Sequence, residues 1–298
     1  MKFNVKALSI SFFFVSFYVV SCYYWSHNIT ISRDTKVYYD AYLNIVNVAN
    51  PFGVEFVLSL IMNICNFLGM TFRELLLVLL LLWTPVICFL SYNSKKYPIL
   101  IFASLFFFIY QFNETALFLI RSYLSVLFFF LFIVSNRYLK IIFAVLSFFS
   151  QVTSILFLIT YNKVVYNMLL KDKRIALFLM FFSIICSFFI GYVLLGKINF
   201  DFLYGVFPDV INRKLSFYNG LENIGGSNLI IIGLSVFLGF LIISTKVNEE
   251  RKRFDAFVFS QVIICILFSN INILSNRLGI VAFMFSIPII CFYMKEKS

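Results

Sequence analysis

The chain has 298 residues, of which 62% are hydrophobic, 42 are phenylalanine and only 12% are charged. Several apolar runs approach the ~20 residues that a bilayer crossing needs, which excludes an ordinary soluble domain and predicts an all-α polytopic membrane protein, a single integral domain. A net charge of +11 would otherwise suggest a nucleic-acid partner, but the Lys and Arg residues fall in short clusters between apolar runs, the pattern of cytoplasmic loops.

The apolar runs lie at 5–25, 72–92, 98–112, 116–134, 139–161, 175–195, 229–244, 254–270 and 278–294. The first follows Lys2 and Lys6 as a signal peptide would, yet no small-residue cleavage site follows it, so it is expected to remain as a first helix. Next comes a polar stretch, 26–71. Within it Glu55, Ser59, Asn63 and Asn66 are spaced four, four and three apart, which gathers them on one face of an apolar helix over 53–68. Such a helix suits the outer interface better than the lipid core. Asn50-Pro51 is its start signal and Gly69 its stop.

Arg121 lies within the run 116–134, about five residues from its outer end, at a depth of ~7.5 Å. A cation in hydrocarbon costs from ~2.5 to more than 10 kcal/mol, so an intramembrane arginine is a site hypothesis by default. Glu114 precedes it by seven residues on the same helix face, with Ser125 a turn beyond. The competing reading is a structural ion pair or a snorkelling side chain.

Charge counting decides the topology of the run 139–161 and of everything C-terminal to it. If every run crosses once, the inner side holds 10 Lys and Arg against 14 outside, the reverse of the positive-inside rule. If 139–161 is instead a short re-entrant hairpin with its tip at Ser150-Gln151-Val152-Thr153-Ser154, the balance becomes 16 against 8. About eight full spans remain, both termini are cytoplasmic, and the hairpin must line a polar pocket open to the outside. The second outer loop, 196–228, then carries Arg213, Lys214 and Tyr218 among several aromatics, suited either to sugar stacking and phosphate contact or to an interfacial aromatic belt. Arg277 opens the last run, where the helix dipole disfavours a cation unless an anion compensates.

Other chemistries are missing. There is no P-loop, no G-x-G-x-x-G, no H-E-x-x-H and no G-x-S-x-G. His27 is the one histidine, and the six cysteines lack the paired spacing of a zinc site or a disulfide framework. No metal and no cofactor is expected.

The order of these features resembles the EpsG-type branch of the Wzy polysaccharide polymerases. The matching pieces are Arg33-Asp34 with Tyr38-Tyr39-Asp40-Ala41-Tyr42, Asn50-Pro51-Phe52-Gly53, Ile120-Arg121-Ser122, the stretch Phe149 to Ser154, and Asn276-Arg277. They span roughly residues 25 to 290. Where members of that family carry a histidine, this chain has Gln151, an amide that cannot exchange a proton near neutral pH but can hydrogen-bond a sugar hydroxyl or a phosphate oxygen.

The resemblance implies a membrane glycosyltransferase, compatible with a GT-C-like architecture, that joins polyprenyl-pyrophosphate-linked oligosaccharide repeat units at the outer face of a bacterial inner membrane. Its partners would be that lipid-linked glycan, membrane lipid, a chain-length regulator and a flippase, with no nucleic acid. Arg121 and Arg277 would stabilise charge on the departing pyrophosphate. Asp34, Asp40 or Glu114 would deprotonate the acceptor hydroxyl. Arg33, Asp40, Gln151, Arg213, Lys214 and Tyr218 would hold substrate. The alternatives are an O-antigen ligase sharing the same arginines, a lipid-linked glycan flippase or other transporter, and a structural membrane subunit.

Overall fold

The computed structural model describes residues 5–31, 33–93, 109, 112–113, 116–195, 229–244 and 252–269. All regular structure among them is helical, in keeping with the all-α expectation.

Helix α1 (Val5–Asn28) follows from an apolar run without a break. Ser11, Phe14, Tyr18 and Cys22, spaced three and four apart, are buried, while Phe12 and Val20 stand 75% and 67% exposed on other faces. Water would not tolerate that outward phenylalanine and valine surface, and lipid would. The buried stripe packs on α4 (Phe72–Leu81) and α5 (Thr84–Asn93). The Tyr18 hydroxyl donates to Leu80 O at 2.6 Å and the Ser11 hydroxyl to Cys88 O at 3.1 Å. His27 sits in the last turn of α1, stacked on Tyr23.

Helix α2 (Arg33–Leu43) and helix α3 (Phe56–Phe67) occupy the first polar stretch. Of the stripe read from the sequence, Ser59 and Asn63 turn onto the helix's own approach loop, while Asn66 stays exposed. Ser59 donates to Asn50 Oδ1 at 2.9 Å, and Asn63 donates to Ala49 O at 2.8 Å. Gly69, at φ +71°, ends α3; its N–H reaches Asn66 O, and Met70 N–H returns to Cys65 O at 3.0 Å. Only a residue free to adopt left-handed backbone makes this C-terminal turn cheaply. Thr71 and Glu74 then form a reciprocal capping box that starts α4.

Helix α6 (Ile120–Val134) and helix α7 (Arg137–Ser150) form an antiparallel pair joined at Ser135–Asn136. Its seam includes Ser147 Oγ donating to Ser125 O at 2.8 Å, so Ser125 ties two helices together and takes no part in the site. α7 stops at Gln151, whose backbone is extended at φ −158° and ψ 122°. A three-residue 3-10 turn, Val152–Ser154, leads into the short α8 (Ile155–Thr160). The interruption thus falls on the polar stretch that the charge count picked out.

The chain divides into two compact units, residues 1–160 with 287–298 and residues 161–286. In the second unit, α9 (Lys163–Leu169) is capped by Asn162, which accepts from Val164 N–H at 3.0 Å. Along α10 (Lys173–Leu195), Ala176, Met180, Ser183 and Ser187 face inward, while Phe178, Phe181, Phe182, Phe188 and Phe189 are exposed. Small and hydroxylated residues inside with phenylalanine outside is the arrangement of helices packed in lipid. Gly239 on α11 (Leu229–Ser244) approaches Met180 so closely that a Cβ there would lie 2.8 Å from its sulfur. Helix α12 (Lys252–Leu267) packs on α9, α10 and α11.

Among the described residues, Leu8–Asn28 is the one single helix long and apolar enough to cross a membrane, and Phe56–Phe67, Ile120–Val134 and Ser235–Ser244 are shorter apolar helices. The expected eight spans are therefore not matched by eight helices of spanning length in this part of the chain. Several of the expected runs fall wholly or partly outside the described residues.

Candidate functional site

Arg121 is the residue around which the first unit's separate pieces meet. It lies in the first turn of α6, because the backbone leaves helical geometry at Leu119 (φ −118°, ψ 44°). The apolar run alone would place it five residues inside an unbroken helix. A guanidinium at a helix N-terminus faces the positive end of the dipole and needs a counter-ion nearby. Glu55 supplies it.

The Arg121 Nη1 group donates to Glu55 Oε2 in a salt bridge, with side-chain exposures of 30% for the arginine and 9% for the glutamate. The other carboxylate oxygen, Oε1, accepts from the Val152 N–H at 3.1 Å, where the interrupted helix resumes as a 3-10 turn. Arg121 Nε lies 3.4 Å from the Tyr38 hydroxyl oxygen, a long donor contact. The guanidinium carbon stands 5.2 Å from the centre of the Phe52 ring and 5.9 Å from that of Tyr38, within cation–π range. These two rings meet edge-on at 5.8 Å.

Local folding explains each placement. On α2, Thr35, Tyr38 and Tyr42 are buried at three- and four-residue spacing, so Tyr38 is carried on the inner face. Thr35 Oγ1 donates to Leu117 O at 3.3 Å, and Tyr42 Oη to Met70 O at 2.6 Å, which pins that face in register. Phe52 sits in the Asn50–Gly53 turn, closed by Asn50 Nδ2 donating to Gly53 O at 2.8 Å, with Gly53 at φ +60°. Phe56 packs on Phe149, joining the start of α3 to the end of α7.

The sequence-predicted residues divide accordingly. Arg121 is at the centre. Gln151 is adjacent through its backbone: its carbonyl accepts from Ser154 N–H at 3.0 Å, and its side chain is half-buried. Asp40 is exposed on α2, about 200° around the helix from Tyr38, and so faces away from the arginine. Arg33 and Asp34 open α2, but their side chains are outside what the structure describes. Glu114, Arg213, Lys214, Tyr218 and Arg277 lie outside the described residues.

Glu55 and Tyr38 are the residues whose part the sequence reading missed. Glu55 is visible as the head of the polar stripe, and Tyr38 as part of the tyrosine-rich segment, but neither carries a signal pairing it with a position 66 or 83 residues away. Ser154, fully buried just beyond the break, has a hydroxyl without a hydrogen-bond partner among the described residues. No group of His, Cys, Asp and Glu suited to a metal ion occurs among the described residues.

Chemically, the arrangement holds a planar cation between two aromatic faces and one carboxylate, and leaves Nη2 without a partner among the described residues. Such a group suits an anion with several oxygens. No curated relative and no solved structure matches the chain. Residues 10–298 match the family model of the EpsG family, membrane-associated proteins of polysaccharide biosynthesis, and the chain is a member of that family.

Proposed function

We propose that this protein is a polysaccharide polymerase that joins oligosaccharide repeat units carried on polyprenyl pyrophosphate at the outer face of a bacterial inner membrane. The observation that carries the reading is the fixed Arg121 guanidinium, bordered by the Phe52 and Tyr38 rings, with Nη2 lacking a partner among the described residues. Glycosyl transfer from a pyrophosphate carrier already has a good leaving group. The protein's main task is to stabilise the charge that grows on the departing pyrophosphate as the glycosidic bond breaks. A guanidinium held in advance does this without reorganising, and a low-dielectric setting strengthens it. The acceptor hydroxyl loses its proton as the new bond forms, and a carboxylate takes it. Asp34 and Glu114 are retained for that role. Glu55 is less suited, since both its oxygens are already engaged.

The test is deletion of the gene and gel analysis of the surface glycan. Loss of the long ladder with a single repeat unit retained supports the polymerase, and wild-type protein supplied in trans should restore the ladder while Arg121→Ala should not. Complete loss of attached glycan would point to ligation or export instead.

A further inference from the structure

We infer that Glu55 is a positioning residue for the reaction, acting through Arg121; the inference rests on the reading of Arg121 as the group that engages pyrophosphate. Glu55 stands at the N-cap of α3, yet its side chain makes no capping hydrogen bond there. Both oxygens are directed elsewhere, one to Arg121 on α6 and one to the Val152 N–H at the helix break. One carboxylate therefore fixes the orientation of the guanidinium relative to the turn that succeeds α7.

The geometry separates this role from that of a simple counter-ion. Nη1 is taken by Glu55 and Nε by Tyr38, so rotation of the guanidinium plane is restrained and Nη2 is the nitrogen left without a partner among the described residues. Glu55 is also the more buried of the two partners. An incoming anion that displaced it would leave a carboxylate stranded out of water, so the pair stays closed while the free edge does the binding.

Replacement chemistry is dictated by the two acceptors. A carboxylate offers two acceptor oxygens, whereas an amide offers one oxygen and an NH2 that repels the arginine's own N–H groups. Glu55→Gln must then give up one arm, while Glu55→Asp keeps both acceptors on a shorter stem. In kinetics with purified protein in lipid nanodiscs and a polyprenyl-pyrophosphate-linked repeat unit, Glu55→Gln is expected to lower kcat at least tenfold with KM changed less than threefold. Glu55→Asp should recover part of that loss. In an Arg121→Lys background, where no planar group remains to orient, Glu55→Gln should cost less than twofold. Equal losses in both backgrounds would make Glu55 a structural residue only and overturn the inference.

Binding of inorganic pyrophosphate, read by calorimetry on the same nanodiscs, gives a second readout with an opposite sign for the competing view. Removing a negative charge near the site would by Coulomb's law tighten an anion, whereas loss of positioning weakens it. Weaker binding by Glu55→Gln supports the inference and tighter or equal binding overturns it, even if wild type makes no polymer and the polymerase reading alone falls. Wild-type protein that neither binds pyrophosphate nor makes polymer removes the role of Arg121, and the inference with it.

Discussion

Glu55 precedes Arg121 by 66 residues, yet its carboxylate is that arginine's ion-pair partner and also holds the Val152 N–H, 97 residues along the chain from Glu55. The bridge joins the start of α3, the start of α6 and the turn that follows α7. Segments that look unrelated along the chain thus share one electrostatic centre.

Arg121→Ala should abolish polymer while leaving protein in the membrane, as judged by glycan ladder and by membrane fractionation. Arg121→Lys should be impaired more than tenfold, because a flexible ammonium reproduces neither the stacking on Phe52 nor the fixed fork toward an anion. Full chain length from the lysine variant would show that charge alone suffices.

The aromatic walls should matter separately from the charge. Phe52→Leu keeps an apolar side chain and removes the π face, a loss of about 1 kcal/mol, or roughly fivefold in rate. Phe52→Trp should retain activity. Tyr38→Phe keeps the ring and deletes the long contact to Nε, so its effect should be smaller than that of Phe52→Leu. Initial rates of polymer formation check all three, and a neutral Phe52→Leu would mean that the ring only fills space.

How much of this is legible in the sequence depends on the range of each interaction. Periodicity finds α3, predicted over 53–68 and observed as Phe56–Phe67. Membrane cost singles out Arg121, and charge counting singles out the stretch where α7 stops at Gln151. Spacing also contains the fact that Asp40 and Tyr38, two positions apart on a helix, cannot share a face. What spacing lacks is the pairing of Glu55 with Arg121, because tertiary contacts leave no period in the sequence. The break at Leu119, which sets Arg121 in the first turn of its helix, is equally silent, because it falls in an apolar run with neither Gly nor Pro.

Gln151 should act through hydrogen bonds. Gln151→His is expected to be tolerated, and Gln151→Leu to cost about 1–3 kcal/mol where polar partners are left unpaired. The pH profile of the wild-type rate should owe nothing to this side chain. Normal polymer from the leucine variant would reduce the helix break to a packing element.

Topology can be read at exposed sites with a membrane-impermeant thiol reagent, once the native cysteines are replaced. Val46 is 77% exposed, Tyr138 84% and Val164 61%. A cysteine at 46 should be labelled from outside, and cysteines at 138 and 164 should not. Labelling at 164 from outside would mean that 139–161 crosses the membrane, and the hairpin would be discarded.

The uncapped start of α3 carries a warning for anyone trying to make this protein sturdier. Ser or Asp at residue 55 would suit the helix better and would be expected to add about 1 kcal/mol by local rules. Serine would strip Arg121 of its counter-ion, and aspartate would shorten its reach to both partners. A stability screen blind to glycan synthesis would therefore favour replacements at the very residue on which the arginine depends.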